Sequence, residues 1–222
     1  MLPVQRGTRL IAGYVAPMAI FLVLTAAESW LPAGWYPLAY ACKLAIVCAA
    51  LLILREPLSD IRPSGRVVAP SVVVGLLVCV LWVGLEKLVP YPHLGSRVGF
   101  NPFEAIADPR GQYAFVLVRL FGLAIVVPVM EELFWRSFLL RYLTDENFTS
   151  VPFDRFSWRA FAIVAGLFAT GHPEWLPAVL TAAAYGLLVL RTGSIFAAVV
   201  AHATTNAALG AYILVARDWV FW

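Results

Sequence analysis

Long apolar runs almost empty of charge constrain this chain more than any other feature. Residues 10–27 and 67–85 carry no Asp, Glu, Lys or Arg; residues 36–54 carry only Lys43, and residues 112–130 only Arg119. Further apolar runs cover 160–173 and 175–190, separated by Glu174, and an uncharged run covers 192–216. A membrane-spanning helix needs about 20 predominantly apolar residues. The chain has 222 residues, of which 62% are apolar and 13% charged, whereas a soluble domain is about 25% charged. There is too little charge to cover a soluble surface. The pattern predicts an all-α fold: a polytopic membrane helical bundle of about seven transmembrane helices, forming a single membrane domain over 1–222.

The remaining composition narrows the function classes. The net charge of +3 and the lack of like-charge blocks give no footprint for nucleic acid. The lipid bilayer is the partner that the composition implies. Cys42, Cys48 and Cys79 all fall inside apolar runs, fit no zinc spacing, and read as small buried apolar residues. The first run follows Arg6 and Arg9, as a signal peptide would, but exceeds the usual length of about 7–15 residues. It reads as a retained helix. REPLSDIRPSGR and RTGS read as solvated turns, and 86–111 as a long connection rich in Pro and Gly.

Orientation follows from the basic residues, which favour cytoplasmic loops. Placing the N-terminus inside puts Arg6, Arg9, Arg55, Arg62, Arg66, Arg141, Arg155, Arg159 and Arg191 in the cytoplasm. Lys87, Arg97, Arg110 and Arg217 then lie outside. This bias predicts N-in/C-out. Residues 1–111 form three N-terminal helices with the long external loop, and 112–215 form the remainder of the bundle.

Charged groups inside a bilayer are costly, and mark functional sites by default. The densest cluster is Glu131-Glu132-Leu133-Phe134-Trp135-Arg136. Glu132 and Arg136, at i and i+4, share a helix face and can pair. Glu131 is turned about 100° away from Glu132 and can face a cavity. His172 ends LFATGH four residues after Phe168, and His202 lies in VVAHATTN four residues before Asn206. At 1.5 Å per residue, Glu131 lies about 15 Å from Arg141, His202 about 14 Å from Gly193, and His172 about 20 Å from Arg159. These depths are compatible with one shared cavity.

Such a cavity suits water activation. Desolvation strengthens a carboxylate's hold on a proton and fits it to act as a general base. A His can share the water or protonate the leaving amine, while a second His and an amide can hold a tetrahedral oxyanion. The same groups, Glu131, His172 and His202, are also a conceivable donor set for a divalent metal such as zinc. There is no HExxH, no G-x-S-x-G and no phosphate-binding glycine loop.

EELFWR resembles the EExxxR motif of the CAAX-protease and bacteriocin-processing (CPBP) family of intramembrane proteases. FATGH is similar to its FxxxH motif, and HATTN to its HxxxN motif. The resemblance covers 112–215, which it marks as a protease-like core. It implies Glu131 as the base that activates water with His172, His202 and Asn206 as oxyanion stabilisers, and Glu132 and Arg136 as supports. Phe168, the Phe of FxxxH, joins the supports. The family is described both as glutamate-type and as metal-dependent; no cofactor is certain, and the glutamate-type reading is favoured. Trp135 and Pro173 depart from the common pattern, and Pro173 puts the position of His172 in question. YPHLGSRVGFNPF further resembles CAAX-protease-related proteins found beside bacterial exosortase systems. The resemblance implies a hydrolase of the bacterial inner (plasma) membrane acting on a membrane-anchored protein or peptide. Two other classes stay open: a non-catalytic immunity or scaffold protein of the same fold, and a small transporter or proton relay.

Overall fold

A computed structural model describes residues 3–97 and 99–222, with no side-chain description for 3–6, so the Arg6 side chain and Val98 lie outside it. The chain is an all-α membrane bundle. Six helical stretches are long and apolar enough to cross a bilayer. The principal helices are α1 (Pro3–Glu28), α2 (Tyr36–Ile53), α3 (Gly65–Leu88), α4 (Pro109–Tyr142), α5 (Trp158–Thr170), α6 (Trp175–Thr192) and α7 (Ile195–Ala216).

The seventh apolar segment expected from the sequence is present as a shorter helix, α5. The 13 residues of α5 reach only about 20 Å, against a hydrocarbon core of about 30 Å. Its end is local chemistry. Pro173 disfavours helical backbone at His172, and the chain closes with His172 N–H donating to Ala169 O. Other boundaries are equally legible. Asp108 caps α4 by accepting from Gly111 N–H, Ser194 caps α7 by accepting from Ala197 N–H, and Gly193 ends α6 at φ 62°.

The surface is apolar where a bilayer would touch it: Leu77, Val80, Leu117 and Val215 are all more than 60% exposed. Cys79 is buried and Cys48 half-buried, but Cys42 is exposed on this outer face. Each end of the bundle carries ion pairs. Arg9–Glu56 and Arg141–Asp60 lie at one end, and Lys87–Asp218 and Arg97–Glu174 at the other.

α7 is the central post, touching α3, α4 and α6. Gly75 permits its closest crossing. A Cβ there would run into Ala201 O and lie 2.7 Å from Thr204 Cβ, whereas a Cβ at Gly84 meets nothing within 4 Å. Gly75→Ala is expected to cost about 1–3 kcal/mol by forcing α3 and α7 apart. Gly84→Ala should be neutral or stabilising, because alanine is the better helix former. Thermal unfolding midpoints of both variants in detergent test this; equal midpoints would contradict the close crossing.

α4 departs from regular geometry twice, over Gly122–Val126 and Leu133–Leu139, where the turn widens to a π-helix. Val127 N–H reaches back to Gly122 O. The first wide turn directly precedes Pro128. Proline lacks an N–H and clashes with the carbonyl four residues before it, so the ladder relaxes into the wider turn.

Candidate active site

Glu131 and Glu132 lie between the two wide turns of α4. Both are buried, but they meet different surroundings. Glu132 is fully enclosed, and its Oε1 accepts from Arg136 Nη1 at 2.9 Å and from His202 Nδ1 at 2.9 Å. Arg136 is itself buried; it donates to Ala182 O at 3.4 Å and lies over the rings of Phe168 and Tyr185. The expected i, i+4 pair is present, and it has recruited His202 from α7.

Glu131 makes no such pair. Its Oε2 is buried without a hydrogen-bond partner. It lines a cavity of about 320 Å³ together with His172, His202 and Asn206. All four expected site residues thus border one space, drawn from α4, α7 and the α5–α6 connection. Asn206 Nδ2 donates to Leu123 O at 2.8 Å, which fixes the amide and leaves its second N–H free to serve another acceptor.

Both histidines are oriented through Nδ1. His172 Nδ1–H donates to Phe168 O at 2.9 Å, because a carbonyl can only accept. His202 Nδ1–H likewise faces a carboxylate. Each ring therefore turns Nε2 away from its anchor. Phe168 does more than supply that carbonyl. Its ring stacks on His172 with centroids 4.7 Å apart, and it lies between His172 and the Arg136 guanidinium. Trp82 closes on His172 edge-on. His172 lies outside the spanning helices, and burial pushes its imidazole below the ordinary value, with the Glu131 charge opposing that shift. Pro173, rather than displacing His172, ends the helix so that the ring stays over the Phe168 turn.

Several site residues escaped sequence reasoning. Tyr185 is buried, donates to Thr205 Oγ1 at 2.6 Å, and sets its ring 5.2 Å from that of His202. Thr205 in turn donates to the Gly75 carbonyl, tying the site to the α3–α7 crossing. Tyr and Thr in apolar helices carry no charge signal, and only the fold brings them together. The connecting stretch 89–97 is strapped over the site's rim. Leu94 N–H donates to Pro173 O, Trp175 Nε1 to Pro92 O, and Arg97 pairs with Glu174; Glu86 holds Tyr91 and His93.

Among the described residues, no three His, Cys, Asp or Glu side chains are gathered closely enough to hold one metal ion. Glu131, His172 and His202 border the same cavity, and the steps below use this chain's own groups.

Residues 113–208 match the family model described as Type II CAAX prenyl endopeptidase Rce1-like. The matched segment contains Glu131, Glu132, Arg136, Phe168, His172, Tyr185, His202, Thr205 and Asn206. No curated protein and no solved structure matches the chain.

Proposed function

We propose that the protein is an intramembrane endopeptidase of the glutamate type, hydrolysing a peptide bond in a membrane-anchored protein. One observation carries this reading. Of two adjacent buried carboxylates, Glu132 is tied through Oε1 to Arg136 and His202, while Glu131 has no ion pair among the described residues and lines a cavity that His172, His202 and Asn206 also border. The likeness of residues 113–208 to a CAAX prenyl endopeptidase family supports it independently.

The steps use this chain's own groups. A water between Glu131 and His172 gives one proton to Glu131 and is oriented by the His172 Nε2 lone pair. The resulting hydroxide attacks the scissile carbonyl carbon. The oxyanion accepts from the free Asn206 N–H and from His202 Nε2–H. Glu132 anchors that ring at Nδ1. Collapse breaks the C–N bond, and Glu131 returns its proton to the departing amine. The membrane sidedness that accompanies this reading is N-in/C-out, supported by the bias of basic residues. The bacterial inner membrane and an exosortase-associated substrate belong to the same proposal.

The test compares protein termini in membranes of a deletion strain complemented with wild type or Glu131→Gln at matched levels. Termini found only with wild type are expected. Identical termini in both strains would transfer the site to the immunity or scaffold reading.

The pH dependence follows from His172. Its Nε2 lone pair is needed free, and burial places its protonation below about 6.5. Protonation removes the acceptor, so cleavage should fall as pH drops through a value under 6.5 and be restored on return to neutrality. A plateau extending down to pH 4 would remove His172 from water positioning.

A further inference from the structure

The cavity continues beyond Glu131 toward the opposite end of the bundle, where its charges do not balance locally. Lys43, Arg97 and Arg119 line it, as do Glu28 and Glu131. Lys43 pairs with Glu28 at 2.6 Å and also donates to Thr25; Arg97 pairs with Glu174 at 3.0 Å. Two charges remain: the Glu131 carboxylate and the Arg119 guanidinium. Among the described residues no carboxylate pairs with Arg119, and its Nε is buried without a hydrogen-bond partner.

Arg119 is nevertheless held in place. Its guanidinium lies 4.5 Å from the Tyr40 ring centroid and 5.9 Å from that of Trp222. The Tyr40 hydroxyl also meets the guanidinium, but Nε is left without a partner and no carboxylate neutralises the charge among the described residues. A planar fork with open N–H groups fits a carboxylate, which it can grip bidentately. An uncompensated cation within a membrane domain is costly enough to imply a functional counter-ion.

We infer that Arg119 is a substrate-anchoring subsite that binds a peptide carboxylate and so sets which bond reaches Glu131. This rests on the peptidase reading above. Arg119 and Glu131 are 12 residues apart on one helix, about 18 Å by helical rise. An extended peptide covers that distance in about five residues. Both ends border one cavity, so a single ligand can touch both. The carboxylate can be a peptide C-terminus or an Asp or Glu side chain, and the chemistry at Arg119 is the same.

The test uses the full chain in phosphatidylcholine nanodiscs with degenerate libraries of acetylated apolar octapeptides. One library has a free C-terminal carboxylate, a second is C-terminally amidated, and a third is amidated with one Asp or Glu. Products are read by mass spectrometry. Wild type should cut a carboxylate-bearing library roughly 10- to 100-fold faster than the amidated one, as expected for a charge-assisted contact. Arg119→Gln should bring that ratio near one, with Arg119→Lys between. The ratio is read within each variant, so partial misfolding lowers both rates and leaves it unchanged. Preference for the first library assigns the C-terminus, and for the third an acidic side chain. Equal wild-type rates on all three libraries would overturn the assignment, as would a ratio unmoved by Arg119→Gln. If wild type and Glu131→Gln are indistinguishable on every library, the peptidase reading fails and the anchor falls with it.

Discussion

Glu131→Gln is expected to leave the protein inserted and folded while slowing hydrolysis by about 10²–10⁴-fold, the usual contribution of a general base. The substitution preserves shape and removes proton affinity. Little should be lost in stability, because Glu131 Oε2 has no hydrogen-bond partner to orphan. The check is a paired measurement on one purified sample: unfolding midpoint in detergent and turnover of an identified substrate. An unchanged midpoint with lost turnover fits a base. Lost turnover accompanied by a collapsed midpoint would make Glu131 a structural residue instead.

The neighbouring carboxylate should behave in the opposite way. Glu132→Ala removes the shared acceptor of Arg136 and His202 and leaves a guanidinium buried without its counter-charge. Breaking a buried pair from one side costs about 3–5 kcal/mol, a large part of the stability of most domains. The expected outcome is poor accumulation in membranes and a strongly lowered unfolding midpoint. Glu132→Gln should be milder, since its amide oxygen can still accept from Arg136. Normal stability of Glu132→Ala would show that Arg136 finds another partner. Two adjacent glutamates thus separate into one whose loss stops chemistry and one whose loss unfolds the site.

Much of this was legible because charge inside apolar runs is conspicuous. Glu131, Glu132 and Arg136 stood out by that rule, and the i, i+4 spacing gave the Glu132–Arg136 pair seen at 2.9 Å. His172, His202 and Asn206 were found by rarity and spacing, and all border the cavity. The partner of His202 was not legible, because Glu132 lies 70 residues away in sequence. Lys43 and Arg119 carried the same charge signal as Glu131, but their significance depends on which of them finds a carboxylate, and only packing decides that. The end of α5 was less legible: the apolar run continues to residue 173, but the helix stops at Thr170 before Gly171, His172 and Pro173. Tyr185 and Thr205 gave no signal at all.

The first wide turn of α4 also sets the angular phase of the helix. In a regular helix, 12 residues turn through three revolutions plus about 120°, so residues 119 and 131 would point to different sides. An i→i+5 turn accommodates one residue more than an i→i+4 turn. The same 12 residues then count as about 11 regular steps, only about 20° from three whole revolutions. Gly122–Val126 therefore acts as a vernier that brings a cation and a carboxylate on one continuous helix into the same line of sight. Tightening that turn to a regular one at constant length would swing the two groups apart by about 100°, whereas removing one residue from it leaves about 11 regular steps and keeps them aligned.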